Sequence, residues 1–275
     1  MASDGNLPST ESINLSYASL GIFGALFIPA LYITYKHGKP GMICWPIFVS
    51  YFPLRFASDA YHIVRRNNPE ENNTITMMTN AGSIVCLSLT LIGMVYEALN
   101  LTHSTSRRLG RKVILGVSHL VNTIGIGMAA YAGKPDENAD GGVKNTMLDK
   151  IGNCLIFLVM VGVLFWLWPI GKRVFSERQD TNYKAAKALI MAAGPGTVLQ
   201  LIRLSYSLTY AFNRVPSLDP VTGSFATRLI LMFGTQLCVV IVVLVGGWFS
   251  MDARPQPQER VNSATEMNDA STGLV

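Results

Sequence analysis

Arg55, Asp59 and His62 are spaced four and then three residues apart in a stretch that is otherwise mostly apolar. On a helix that spacing puts all three on one face. A guanidinium, a carboxylate and an imidazole sharing a face can hold an anion or a polarised carbonyl, or can neutralise one another. Arg203 poses the same question, with Tyr206 and Tyr210 following on its helical stripe, as does Arg228, with Gln236 two turns further along. Two arginines, Arg55 and Arg203, against one aspartate make the group net positive. A ligand held there would carry a carboxylate, a phosphate or a polarised carbonyl on a hydrophobic body. The candidate ligand-binding set is therefore Arg55, Asp59, His62, Arg203, Tyr206, Tyr210 and Arg228, gathered with Asn80 and Asn153 into one outward-facing polar cavity. The bland reading stands beside it: Arg55 and Asp59 cancel across one helical turn, Arg203 and Arg228 snorkel to a headgroup layer, and His62 is interfacial.

A second set holds Glu97, which ends an apolar block, and His119 with Asn122 on a common face. Asp59, Glu97 and His119 are the candidate catalytic residues if the chain is an enzyme, as acids or a proton relay. The bland alternatives are a Glu97 pair with Arg111 or Lys112 and a satisfied, buried His119. The sequence contains no G-x-S-x-G elbow, no H-E-x-x-H zinc helix, no phosphate-binding glycine loop and no D-D-x-x-D stretch. A lysine suited to a retinal Schiff base is missing from the last apolar block. The four cysteines, Cys44, Cys86, Cys154 and Cys238, fall in apolar blocks without C-x-x-C spacing, so neither a disulfide framework nor a metal site is expected. No cofactor is implied.

The elements that must position these residues are membrane spans. Hydrophobic residues make up 49% of the chain and charged residues 14%, against about 25% charge in a soluble domain. The apolar residues come in long blocks rather than alternating, so lipid is the solvent and helices are the element. Ionisable groups there cost at least about 2.5–3.5 kcal/mol each, which makes them functional candidates by default. The blocks predict seven transmembrane helices at 14–35, 42–64, 75–98, 113–132, 151–171, 185–211 and 225–250, after a short outer N-terminus at 1–13. A polar tail at 251–275 reads as disordered and cytosolic. Counting Lys187 just inside the sixth span, thirteen Lys or Arg fall on the side of loops 36–41, 99–112, 172–184 and the tail; counting Arg228 at the head of the seventh, seven fall on the other. The positive-inside rule then places the N-terminus outside and the C-terminus in the cytosol. The net charge of +5 reflects these helix-end anchors, and nucleic acid is not an expected partner.

Aromatics at Tyr17, Tyr35, Trp45, Tyr131, Trp166, Trp168, Tyr210 and Trp248 sit where interface belts would lie. The Asn72-Asn73-Thr74 sequon falls in an expected outer loop, which makes Asn72 a glycosylation candidate. Gly125-x-x-x-Ala129 and Ala188-x-x-x-Ala192 are packing seams, because small residues four apart let helices approach closely. Pro46, Pro53 and Pro195 lie inside spans.

Pro29-Ala30-Leu31-Tyr32, Lys36-His37-Gly38-Lys39, Trp45, Phe48, Phe52 and Arg55 resemble a family of fungal integral membrane proteins that carries only a domain-of-unknown-function label. Lys36 stands where that family has Arg, and Cys44-Trp45 where it has Gly-Trp. The resemblance implies a seven-helix fungal membrane protein and hands over no catalytic residue. The leading functional expectation is a receptor-like bundle, or one that handles a lipid or small molecule, in the endoplasmic reticulum or plasma membrane. The first alternative is a membrane-embedded enzyme of fungal secondary metabolism. Small seven-helix terpene cyclases start reactions with intramembrane acids, but the Trp-Glu pair such cyclases carry early in the chain is missing. The second alternative is a lipid or metabolite exporter.

Overall fold

In a computed structural model the described residues are 9–38, 41–64, 66, 69–102, 108–132, 144–219 and 223–253. They form seven long helices and no strand: α1 (Thr10–His37), α2 (Trp45–Val64), α3 (Pro69–Leu101), α4 (Arg108–Ala132), α5 (Thr146–Ser176), α6 (Tyr183–Asn213) and α7 (Phe225–Ser250). Six of them are long and apolar enough to cross a membrane, which fits a multi-pass protein associated with a lipid bilayer; α2, the 20-residue helix carrying Arg55 and Asp59, is not among the six. Most helices run beyond the apolar blocks that announce them. α1 starts at Thr10, capped by the Ser9 hydroxyl accepting from the Ser12 amide, and α3 starts at Pro69, a residue suited to a first helical turn. Asn72 therefore lies on the opening turns of α3 rather than in a loop, and its side chain is outside the described residues, as are residues 1–8 and the tail from 254.

The helices alternate in direction and pack in chain order, α1 on α2, α2 on α3, α4 on α5, α5 on α6 and α6 on α7. α3 runs through the middle, touching α2, α4, α5 and α6, and 83% of its apolar window is buried. We call the end where α1 begins the near end and the end where α7 finishes the far end. The expected seams are where the backbones meet. A Cβ on Gly152 of α5 would stand 2.5 Å from the Gly125 carbonyl oxygen and 2.6 Å from the Ala129 nitrogen of α4. A Cβ on Gly246 of α7 would stand 2.5 Å from the Ala192 Cβ of α6. Gly247 leaves room for the ring of Trp45 in the same way. Trp45 is wholly buried, so it is a core residue and not part of an interface belt; its large apolar body fills the gap between α1, α2 and α7. Tyr17, Tyr35, Tyr131, Trp168 and Trp248 are exposed, as a belt requires. Lys36, Lys172 and Lys187 lie over Tyr32, Trp168 and Tyr183 toward the far end, and Lys144 and Lys150 over Tyr131 and Phe212 at the near end.

Candidate functional site

Alternating helix direction brings the end of α2, the end of α6 and the starts of α1, α3, α5 and α7 to the near end, so the ionisable residues in these stretches are buried there together. Arg55 is gripped from three helices. Its Nε and Nη2 donate to Asp59 Oδ2 (2.9 Å) and Oδ1 (3.1 Å), both donate to Ser19 Oγ of α1, and Nη1 donates to Gln236 Oε1 of α7 at 3.0 Å. The Ser19 hydroxyl donates to Asp59 Oδ2 at 2.5 Å. Asp59 accepts from both Arg55 and Ser19. Deeper in, the Tyr51 hydroxyl lies 3.5 Å from Gln236 Oε1, and the Arg55 guanidinium lies over the Phe23 ring. Arg228 Nη1 donates to His62 Nε2 at 3.2 Å, with the Ser12 hydroxyl 3.3 Å from the same nitrogen. Arg228 can only donate, so the ring proton sits on Nδ1. Arg228 opens a π-helical stretch of α7, Arg228–Gly234, a widened turn of the kind frequent at functional sites.

The sequence-predicted single cavity is two. The first, a small space of about 20 Å³ between α1, α2, α3 and α7, is lined by Arg55, Asp59, His62 and Arg228, with Ser16, Ser58, Thr76, Asn80 and the apolar Leu15, Met232 and Phe233. The second, of about 80 Å³ and partly open, lies between α3, α4, α5 and α6. Arg203, Ser207, Tyr210 and Arg214 of α6 line it, facing Asn80 of α3 and Asp149 and Asn153 of α5. Its walls are otherwise small or aliphatic: Ala81, Ile84, Ala129, Ala130, Ile156, Leu204 and Ala211. Asn80 belongs to both cavities. The reason for the split is that Arg203 leaves α6 on the side facing α3 and α5, whereas Arg55 faces α1 and α7.

Arg203 does not snorkel. It is 1% exposed, donates from Nη1 to Ser207 Oγ at 2.7 Å, and stacks its guanidinium over the Tyr206 ring at 4.9 Å. Its Nε has no partner, and none of its described contacts is a carboxylate. The Asn80 Oδ1 is buried without a partner as well. At the outer part of the same cavity Arg214 pairs with Asp149, whose Oδ1 accepts from Asn153 Nδ2 at 3.0 Å. Tyr206 and Tyr210 turn their hydroxyls to the α6–α7 connection, donating to the Leu218 carbonyl oxygen (2.6 Å) and to Asp219 Oδ2 (2.5 Å). Tyr210 still lines the second cavity; Tyr206 lines neither.

Glu97 is at the far end, and its described partners are His37 and Trp45 rather than Lys112; the Arg111 side chain lies outside the described residues. Trp45 Nε1 donates to its Oε2 at 2.9 Å and His37 Nδ1 lies 2.8 Å from its Oε1, while His37 Nε2 lies 3.2 Å from the Gly247 carbonyl oxygen. This is a clasp joining α1, α2, α3 and α7. The last residue of α1 reaches the end of α3 through this contact. His119 is half-buried with Nε2 unpartnered, Asn122 on the same face of α4 is fully buried with both polar atoms unpartnered, and neither meets Glu97. No cluster of metal-ligating side chains occurs among the described residues. Sequence reasoning missed Ser12, Ser19, His37 and the Asp149–Arg214 pair. Only the i, i+3 and i, i+4 spacing of Ser12, Ser16 and Ser19 on α1 could have flagged the serines as one polar stripe.

Residues 10–253 match a family model described as "Domain of unknown function (DUF7702)". The match spans most of the chain, which therefore belongs to that family. No curated protein and no solved structure matches it.

Proposed function

We propose that this family member is a seven-helix membrane protein, N-terminus outside and C-terminus in the cytosol, that receives a hydrophobic small molecule bearing an anionic or carbonyl group in the α3–α6 cavity. The observation that carries the reading is Arg203: a cation 1% exposed, without a carboxylate partner among the described residues, beside a partly open cavity of about 80 Å³. An ionised group taken out of water needs compensation. The aromatic face of Tyr206 supplies only about 0.5–2 kcal/mol of it. A ligand oxygen would supply the rest. The near end is the outer side because the chain-end and loop cations favour the far end, thirteen to seven. On that topology α2 crosses with its charges cancelled internally, and Asn72 lies outside as a glycan acceptor.

Binding to the full chain in zwitterionic lipid nanodiscs tests this. The probes are apolar chains of one length ending in a carboxylate, a phosphate or a methyl ketone. At least one should bind saturably, and Arg203→Ala should weaken it by roughly tenfold or more, the share of a charge-assisted hydrogen bond. If none binds, or if binding ignores Arg203→Ala, the α3–α6 cavity is structural. The acid-initiated enzyme reading draws less support: Asp59 accepts from Arg55 and Ser19, and Glu97 accepts from Trp45 and lies against His37. Loss of a product in Asp59→Asn or Glu97→Gln cells would revive it.

A further inference from the structure

The charges around the α3–α6 cavity point to a narrower ligand class, an inference that rests on the binding role proposed above. Three charged side chains line this space among the described residues: Arg203, Asp149 and Arg214. Asp149 and Arg214 are paired with each other, and Asn153 steadies the aspartate. They cancel, which leaves Arg203 to be matched. We infer that the cavity selects a single-chain amphiphile with a singly charged carboxylate head, the head on Arg203 and the apolar chain along Ala81, Ile84, Ala129 and Ile156.

The geometry at the head is specific. Arg203 Nη1 is committed to Ser207, while Nε is unpartnered. The Nε edge of a guanidinium is one of the two that accept a planar carboxylate in a fork. Asn80, whose Oδ1 is unpartnered, can turn its amide nitrogen to the same head, because the two ends of an amide are interchangeable in shape. A neutral alcohol would leave the buried cation uncompensated. A phosphate monoester brings up to two negative charges against one, in a cavity that also holds Asp149. An ammonium would face Arg203 directly. The walls are small or aliphatic side chains that give room and ask for no hydrogen bonds.

The test compares four probes of one chain length, dodecanoate, dodecanol, dodecyl phosphate and dodecylamine, on the full chain in zwitterionic nanodiscs. Native mass spectrometry and displacement of a fluorescent fatty acid are the readouts. Dodecanoate should bind roughly ten- to hundredfold tighter than dodecanol, the range given by one or two charge-assisted hydrogen bonds. It should also outrank the phosphate, and the amine should be weakest. Arg203→Gln should collapse the preference of acid over alcohol, and Arg203→Lys should keep its sign. Ala81→Leu, which narrows the space without touching the charge, should weaken all the probes together. If dodecanol or dodecyl phosphate binds as well as dodecanoate, or the preference survives Arg203→Gln in protein that still melts cooperatively, the carboxylate assignment is wrong although the cavity remains a binding site. If no probe binds, the binding role falls and this assignment with it.

Discussion

Two arginines are buried at the same end of one bundle, and they have opposite surroundings. Arg55 spends its donors on Asp59, Ser19 and Gln236, so α1, α2 and α7 close around a charge already neutralised. Arg203 has a hydroxyl and an aromatic face, an unpartnered Nε, and a cavity beside it. The first arrangement is what a helix needs in order to carry an arginine through lipid. The second does nothing obvious for the fold, and burial of an unmatched charge opposes folding. The contrast sets a cation matched by a carboxylate against one that is not, and it can be broken by mutation.

The largest effect should come from Asp59→Asn. It strands Arg55 as a buried cation and should cost about 3–5 kcal/mol, the usual penalty for removing one partner of a buried pair. Unfolding of the full chain by SDS titration in mixed micelles measures it. A loss below about 1 kcal/mol would mean that water reaches Arg55 and that the network is not what holds α2. The far-end clasp is an internal comparison. Glu97→Gln removes the carboxylate between His37 and Trp45 and belongs in the same range.

Next comes the wall that gives Arg203 its space. Gly152→Ala drives a methyl into the Gly125 and Ala129 backbone, which cannot yield as a flexible side chain would. It should cost about 1–3 kcal/mol, as overpacking does. Gly21→Ala on α1, where a Cβ meets nothing within 4 Å, is the control and should be neutral or stabilising by up to about 1 kcal/mol. If both glycines behave alike, the α4–α5 contact is looser than the seam requires.

What the sequence made legible follows the same division. Seams and helices could be read because they depend on neighbours in the chain: Gly125 and Ala129 are four apart on one face, and so are Arg55 and Asp59. The partners supplied by other helices could not. Ser19 lies 36 residues from Arg55 and Gln236 lies 181 away, and no spacing rule connects them. Glu97 was misassigned for that reason. Arg111 and Lys112 are near it in sequence, but His37 is brought to it by the packing of α1 against α2 and α7. The single polar cavity failed at the same step. Depth in the membrane can be read from position along a span, which put Arg55 and Arg203 at one level. The rotation of α6 about its axis decides which helices Arg203 faces, and that is fixed by contacts all along the bundle.

Replacing both members of the Arg55–Asp59 pair sharpens the comparison further. Arg55→Met with Asp59→Leu removes the charges together and should lie within about 1–2 kcal/mol of the wild type, since buried pairs are often replaceable by apolar residues of similar volume. Ser19 and Gln236 lose partners, which sets the remaining cost. A double variant as unstable as Asp59→Asn would show that the polar network does more than cancel charge.

The smallest stability effect is the most informative. Arg203→Met keeps the length and apolar stem of the side chain and deletes a buried charge that no carboxylate balances. If that cation is a burden on the empty protein, unfolding in probe-free mixed micelles should be unchanged within about 1 kcal/mol, or shifted toward greater stability, because functional sites commonly hold residues that cost stability. The Tyr206 stack and the Ser207 bond are what the variant gives up, together on the order of 1–2 kcal/mol against a desolvation penalty of several. A destabilisation matching that of Asp59→Asn would place Arg203 among the structural charges, with Ser207 and Tyr206 as sufficient partners. The two arginines would then differ only in the identity of what neutralises them. A stable Arg203→Met that has also lost its carboxylate preference separates the two roles in one protein, since an arginine whose bonds hold helices together costs stability when it alone is removed.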